Sequence, residues 1–407
     1  MFLRRIATMV GLPLVALIEA CAYFMGLTML ALLLTDQLGM DHEAASSTSA
    51  WLQGLGVGAL LLGGLVAAGI GPQLTLVLGT LLSALGLALL PFLDASLVMV
   101  PVAILALGQG LKRPAIWAAA AQPFGFPREQ LRMVSILLAY VGYNLGAVIA
   151  SPLAQALQEA LGLRAVYLAA AGLALLATLI AAGVGAAWLL KRERAAEEQR
   201  APRPPLGSVL MGIGALALLA FLPVLSWNQS WHLQFDLLQQ LDVGMSWDLF
   251  FALNPAIVTV VAVLMAAVLA GLHFTRLRVP AMALVGLGLA LVGLALLLMV
   301  VPGVRATVPA FLAAAVVLSI GEVFALPPLL SRLTGDVHWR LAPLLAAGWL
   351  ALTGGGGILL TWLIERCELP VLRTVTGWVG AGSGLLFGLV LLILAVPLQR
   401  RLFSPPR

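Results

Sequence analysis

The sequence predicts an all-α integral membrane protein with twelve transmembrane helices in two pseudo-symmetric halves of six. Three observations carry that prediction. First, 62% of the 407 residues are hydrophobic and only 10% are charged, where a soluble domain carries about 25%. Second, a spanning helix takes about 20 apolar residues, so this composition supplies roughly twelve spans. Third, the apolar residues fall into twelve runs, and one charged, proline-rich stretch divides them six and six. The mean hydropathy of +1.08 excludes a soluble enzyme, whose fold would need a polar exterior, and a disordered chain. Cys21 and Cys367 are too few for a disulfide scaffold. A β-barrel is excluded because its strands alternate apolar and polar residues, whereas these runs are continuously apolar.

The runs follow in order, each bounded by charged or turn-forming residues. The first, 8–34, follows Arg4 and Arg5 and holds Glu19 and Cys21. Its basic start is like that of a signal peptide, but it is too long for an h-region and lacks a small-x-small cleavage site. It is read as a retained helix. The second, 48–70, contains Gly54, Gly56 and Gly58; the third is 73–92. The fourth, 96–122, carries Lys112 and Arg113, and the fifth, 130–158, carries Tyr140, Tyr143 and Asn144. The sixth is 163–190. Residues 191–206, KRERAAEEQRAPRPPL, are charged and non-periodic and read as a linker between a six-helix bundle over 1–190 and another over 207–407. The seventh run, 207–235, holds Asn228, Gln229 and His232 in its outer half, with Asp236 just beyond. The eighth, 247–272, contains Asn254-Pro255; the ninth is 280–301; the tenth, 307–332, contains Glu322. The eleventh, 341–365, has glycine at 354 to 357, a candidate hinge, and the twelfth, 373–398, has Gly380, Gly382 and Gly384. The other glycines read as points of close helix approach.

Orientation follows from the basic residues. With the N-terminus in the cytoplasm, the cytoplasmic side collects Arg4, Arg5, Arg128, Arg132, the linker cations, Arg276, Arg278, Arg332, Arg340, Arg400, Arg401 and Arg407. The opposite side holds only Arg164, Arg305, Arg366 and Arg373. An even number of spans places both termini in the cytoplasm. The net charge of +5 is thus a topology signal, and no nucleic-acid partner is expected. The abundance of Ala, Leu, Gly and Arg, with only Lys112 and Lys191 as lysines, points to a bacterial inner membrane.

Ionisable groups within a bilayer are costly and default to functional hypotheses. They are Glu19, Lys112, Arg113 and Glu322. At about 1.5 Å per residue, Glu19, Arg113 and Glu322 each lie roughly 14–16 Å from a helix end, near the middle of a core about 30 Å thick. A cation in one half and an anion in the other, at similar depth, suit a zwitterionic solute: its carboxylate would meet Arg113 or Lys112 and its amine Glu322. Lys112 and Arg113 are about 100° apart on a helix, so one faces the solute and the other is available to Glu19. Glu19 has two readings, an ion pair with the fourth helix or a proton carrier. Glu322 has a bland reading too, a polar tether within its own half. Asn144, Asn254 and Gln229 have the alternative of a hydrogen bond to a neighbouring helix, worth about 1 kcal/mol. His232 and Asp236 read as a solvated pair near the outer surface.

The halves echo each other. Gly108-Gln-Gly-Leu-Lys-Arg-Pro114 lies in the fourth run and Gly321-Glu-Val-Phe-Ala-Leu-Pro327 in the tenth, both Gly-x5-Pro and six runs apart. Interrupted helices at matching positions of two halves mark a transport site in secondary transporters. No H-E-x-x-H, G-x-S-x-G or Walker A sequence occurs, so no enzyme, cofactor, metal site or ATP-driven pump is expected.

Twelve helices with a central charged linker resemble the major facilitator superfamily, and within it the proton-dependent oligopeptide transporter family. Gly108 to Pro114 resembles that family's G-x-G-x-x-K-P-N motif, and Tyr140 with Asn144-Leu-Gly-Ala147 its fifth-helix motif. Asn228-Gln229 resembles its seventh-helix Glu-Gln, Asn254-Pro255 the start of its eighth helix, and Gly321-Glu322 with Pro327 its tenth-helix signature. The resemblance implies that Glu322 holds a peptide amine with Asn144 and Asn254, and that Arg113 stands where the family has its carboxylate-binding lysine. Glu19 falls on the second acid of the E-x-x-E-R-F-x-Y-Y motif, Tyr23 on one of its tyrosines and Phe24 on the other. Ala16 and Ala20 replace the first Glu and the Arg, Leu27 replaces a further basic position, and the loop from Gly64 to Gln73 lacks the superfamily's gating Asp and Arg.

The expectation is a secondary active transporter of a peptide or peptide-like zwitterion. It would work by alternating access with proton coupling through Glu19 and Glu322. Its partners would be lipid, the solute and protons; no protein partner is indicated by the sequence. The alternative is a non-transporting membrane subunit or receptor that keeps the fold, which the losses at Ala16 and Ala20 motivate.

Overall fold

The computed structural model describes residues 5–124, 128–189, 207, 210–211, 214–215, 217–226, 234, 247–275, 277–301, 307–335, 337–366 and 370–403. Among these, eleven helices are long and apolar enough to cross a membrane, with one shorter apolar helix, and no strand occurs. They are α1 (Leu12–Thr28), α2 (His42–Ile70), α3 (Pro72–Leu89), α4 (Met99–Ala121), α5 (Glu129–Leu161) and α6 (Leu163–Leu189). The short α7 (Ala217–Ser226) follows. Then come α8 (Trp247–Phe274), α9 (Ala281–Val300), α10 (Val308–Gly335), α11 (Leu341–Arg366) and α12 (Pro370–Phe403). This is a multi-pass, all-helical membrane protein, and the order agrees with the twelve predicted runs. The linker 191–206 lies outside the described residues.

Local chemistry explains where helix ends depart from the predicted runs. α2 starts six residues before the predicted 48, because the Asp41 carboxylate accepts the Ala44 N–H at 2.7 Å and caps it. The hydroxyls that follow do not break it: Thr48 and Ser49 donate to the Ala44 and Ala45 carbonyls one turn back. The first run is not one straight helix. A π-helical turn, Ala7–Gly11, precedes α1, which breaks at Met29 (φ −92°, ψ 1°), and a second π-helical turn, Leu33–Gln37, ends the run. α11 runs unbroken through the four glycines. Pro114, Pro255 and the Pro327-Pro328 pair all sit inside continuous helices.

Contacts divide the chain into two units. One comprises Met1–Pro123, Leu138–Arg200 and His338–Ala351. The other comprises Phe124–Leu137, Ala201–Val337 and Leu352–Arg407. In the first unit α4 packs against α2 and α3, and α6 against α1 and α3. Close approach rests on missing side chains. A Cβ on Gly108 would lie 2.7 Å from the Ser83 amide and 2.8 Å from the Gly79 carbonyl, and one on Gly86 would lie 2.8 Å from the Leu105 amide. In the second unit α9 packs against α10 and α12. A Cβ on Gly321 would lie 2.9 Å from the Gly288 carbonyl, and one on Gly384 would lie 2.8 Å from Gly293. The glycine of each Gly-x5-Pro sequence therefore does the same work: Gly108 seats α4 on α3, and Gly321 seats α10 on α9.

Candidate functional site

The four membrane-embedded ionisable residues form two clusters, one in each unit. In the first unit, Glu19 on α1 and Lys112 on α4 are 5% and 4% exposed and form an ion pair. Gln109, one turn before Lys112, donates its amide to Glu19 at 3.4 Å, and Lys112 also donates to the Ser83 hydroxyl on α3 at 3.4 Å. The buried carboxylate is thus held by a cation and an amide from one helix. The Lys112 ammonium lies 5.4 Å from the centre of the Tyr23 ring. Of the two adjacent cations, Lys112 is the one engaged by Glu19.

Arg113 points elsewhere. Its guanidinium donates to the Tyr143 hydroxyl at 3.5 Å and sits 6.0 Å from the Tyr23 ring centre. Tyr143 meets Phe24 edge-on at 5.7 Å, and Phe24 meets Tyr23 edge-on at 5.3 Å. Arg113 is half-buried in this aromatic frame, and among the described residues no carboxylate pairs with it. A guanidinium held this way offers its remaining N–H fork to a planar anion. Tyr140 packs on Trp117 at 5.9 Å instead of joining the Arg113 frame. Asn144 is buried and donates back to the Tyr140 carbonyl of its own helix at 2.9 Å.

In the second unit, Glu322 on α10 is 5% exposed and accepts a hydrogen bond from the Asn254 amide of α8 at 3.1 Å. The same amide donates to Ser319 at 3.0 Å, and Ser319 donates to the Ala315 carbonyl at 2.8 Å. Pro255 cannot continue the hydrogen-bond ladder of α8 beside this point, and Thr259 donates to the Pro255 carbonyl at 2.7 Å. The structure thus joins Glu322 to Asn254, as it joins Glu19 to Lys112. Asn228, Gln229, His232 and Asp236 lie outside the described residues.

One group was not read from sequence as more than topology charges. At the arginine-rich end of the second unit, Arg132 is 1% and Arg332 2% exposed. Arg132 donates to Ser331 at 3.0 Å, and Arg332 pairs with Glu129 at 2.6 Å. The available signal was a lone acid, Glu129, among Arg128, Arg132 and Arg332 at two predicted helix ends.

The profile of the Major Facilitator Superfamily matches residues 13–340. No curated protein sequence matches the chain. Solved structures with a similar fold include a peptide transporter POT in complex with sulfate, at 17% identity and TM-score 0.63, covering 98% of this chain and 96% of that one. A POT family transporter in complex with 5-aminolevulinic acid is 18% identical with TM-score 0.61, covering 95% and 96%. The human organic anion transporter MFSD10 (TETRAN) is 17% identical with TM-score 0.70, covering 96% and 99%. At these identities the likeness is one of fold.

Proposed function

The chain belongs to the Major Facilitator Superfamily, and on that premise we propose that it is a secondary transporter for a peptide or peptide-like zwitterion. It would work by alternating access and be driven by protons. The observation that supports this most is the pairing pattern of the buried charges. Lys112 neutralises Glu19 within α1 and α4, so among the described residues Arg113 is the cation left in that cluster without a carboxylate. Arg113 would take the solute's carboxylate. Glu322, oriented by Asn254, would take its amine. Tyr23 and Tyr140 would line the solute's path, with Asn144 and Gln229 as further polar contacts. Protons would be carried by Glu322 and Glu19, and protonating Glu19 would release Lys112.

The expected setting is a bacterial inner membrane, with six-helix halves over 1–190 and 207–407 and both termini in the cytoplasm. Similar folds in a POT family transporter bound to 5-aminolevulinic acid and in others bound to peptide-like ligands support a small amino-group-bearing solute.

The test is uptake of labelled di- and tripeptides into proteoliposomes under an imposed pH gradient. Uptake should follow the gradient, and Glu322→Gln should lower it at least about tenfold, the usual scale for losing one partner of a charge-paired contact. Uptake unchanged by Glu322→Gln sinks the assignment. A second reading, an organic anion without an amine, is favoured by the aromatic frame of Arg113 and by the similarity to an organic anion transporter. In that case anion uptake would survive Glu322→Gln and be lost with Arg113→Met.

A further inference from the structure

Gln109 stands between two close helix contacts. A Cβ on Gly108 would lie 2.7 Å from the Ser83 amide of α3, and one on Gly110 would lie 2.6 Å from the Ala59 carbonyl of α2. The α4 backbone is therefore held on both sides of Gln109. What remains movable is its side chain, whose terminal amide turns about a soft, two-fold torsion. That side chain is 4% exposed and reaches Glu19 of α1.

The two ends of this amide are unequally used. Its nitrogen donates to Glu19 Oε1 at 3.4 Å. Its oxygen is buried and, among the described residues, has no hydrogen-bond partner. A buried carbonyl without a donor is costly, and such an atom calls for a physical reason. The chemistry of Glu19 supplies one. While ionised, the carboxylate only accepts, so the amide must show it nitrogen. Once protonated, the acid gains an O–H donor that needs an acceptor. The other described partner of Glu19 is the Lys112 ammonium, which has no lone pair to offer. A half-turn of the Gln109 amide puts a carbonyl oxygen in reach.

The other polar groups around Glu19 are engaged elsewhere. On α4, Arg113 is turned to Tyr143 and Tyr23. On α3, the Ser83 hydroxyl accepts from Lys112 at 3.4 Å. α5 packs on α1 at Gly142 and Gly146 and carries Tyr140, against Trp117, and Tyr143. On α6, the Tyr167 hydroxyl donates to the Gly26 carbonyl at 2.9 Å. Among the described residues, Lys112 and Gln109 are the two that bond Glu19.

We infer that Gln109 is the positioning residue for the protonated state of Glu19: its amide turns over when the acid takes a proton, and its idle carbonyl becomes the acceptor of the carboxyl O–H. This rests on the reading of Glu19 as a proton carrier. The proton comes from water and stays on Glu19, and Lys112, released from the anion, keeps its bond to Ser83. Without Gln109 the ionised acid would still have Lys112, whereas the neutral acid would have no acceptor. Gln109 thereby makes the protonated state accessible at a buried site.

Infrared difference spectroscopy on the full chain in liposomes, titrated with pH and with no solute present, tests this. The C=O stretch of protonated Glu19 is the band lost in Glu19→Gln. In Gln109→Met, which keeps the side-chain length, that band should move to higher frequency, as for a carboxyl that has lost its hydrogen bond. Its titration midpoint should fall by about one pH unit, a tenfold loss of proton affinity. A role in packing alone would move neither. The exchanged pair Glu19→Gln with Gln109→Glu puts the acid on α4 and the amide on α1, and should restore a hydrogen-bonded, titrating band. Wild-type frequency and midpoint in Gln109→Met overturn the inference, as does a wild-type chain with no titrating Glu19 band. If Gln109→Met does not fold, a free-carboxyl band in the exchanged pair overturns it. The titration needs no transported solute, so failure of peptide uptake would leave this result standing. A failed titration would in turn leave solute binding by Arg113 and Glu322 untouched.

Discussion

At the scale of single residues, the decisive feature is that two adjacent cations do different work. Lys112 and Arg113 point about 100° apart, and only Lys112 meets Glu19. Glu19 lacks a basic neighbour on its own helix, where Ala20 follows it, so its counter-charge comes from α4. A buried pair of this kind is weak evidence for stability but strongly punishes the loss of one member, by about 3–5 kcal/mol. Lys112→Met should therefore lower the melting temperature sharply. The double variant Glu19→Gln with Lys112→Met should recover most of that loss, because no charge is then stranded. Thermal unfolding of the four proteins in detergent checks this, and equal destabilisation by the single and double variants would contradict the pairing. Sequence showed that one of the two cations would be available to Glu19. It did not show which one, because the choice depends on how α4 is rotated against α1 and α3, which is set by contacts far apart in the chain. The same holds for Arg132, whose partner Ser331 lies 199 positions away, so it read as a loop charge and is in fact buried.

At the scale of elements, the glycines fall into two populations that composition alone does not separate. Gly108 and Gly321 sit where a Cβ would meet backbone atoms of the neighbouring helix at 2.7–2.9 Å, whereas Gly54, Gly56 and Gly58 have nothing within 4 Å. Backbone cannot give way as the end of a flexible side chain can, so added carbon at the first positions must push helices apart. Gly108→Val and Gly321→Val should each lower thermal stability markedly and reduce the yield of monodisperse protein. Gly54→Ala should be neutral or mildly stabilising, since alanine favours a helix over glycine by about 1 kcal/mol. Similar melting temperatures for Gly54→Ala and Gly108→Val would refute the distinction. The apolar runs made the helices legible because lipid demands long apolar segments. The repeated Gly-x5-Pro pattern was legible as an echo of the halves, but its work in seating α4 on α3 and α10 on α9 depends on which helices become neighbours, which the pattern does not encode. The ends of α2 and the break at Met29 were not legible. Hydropathy does not register a carboxylate cap at Asp41 or hydroxyls that bond back along their own helix.

At the scale of the whole molecule, the linker division and the contact units do not follow the same boundary. Residues 124–137 lie before the linker and belong by contact with 201–337, and residues 338–351 lie after it and belong with 1–123. Both segments therefore group by contact with sequence from the far side of 191–206. One of these pieces is held by polar bonds at Glu129 and Arg132, the other by the close approach at Gly64. Residues 1–200 and 201–407, co-expressed as separate chains, should consequently associate and co-purify through a tag on either one. Expressed alone, each should be less stable than the pair, since its exchanged segment leaves polar or close-packed surface uncovered. Glu129→Gln should weaken co-purification, and a Gly64→Val variant should weaken it by the independent route. Halves that are as stable alone as together, or that co-purify equally well with both contacts altered, would show that the exchanged segments contribute nothing to assembly.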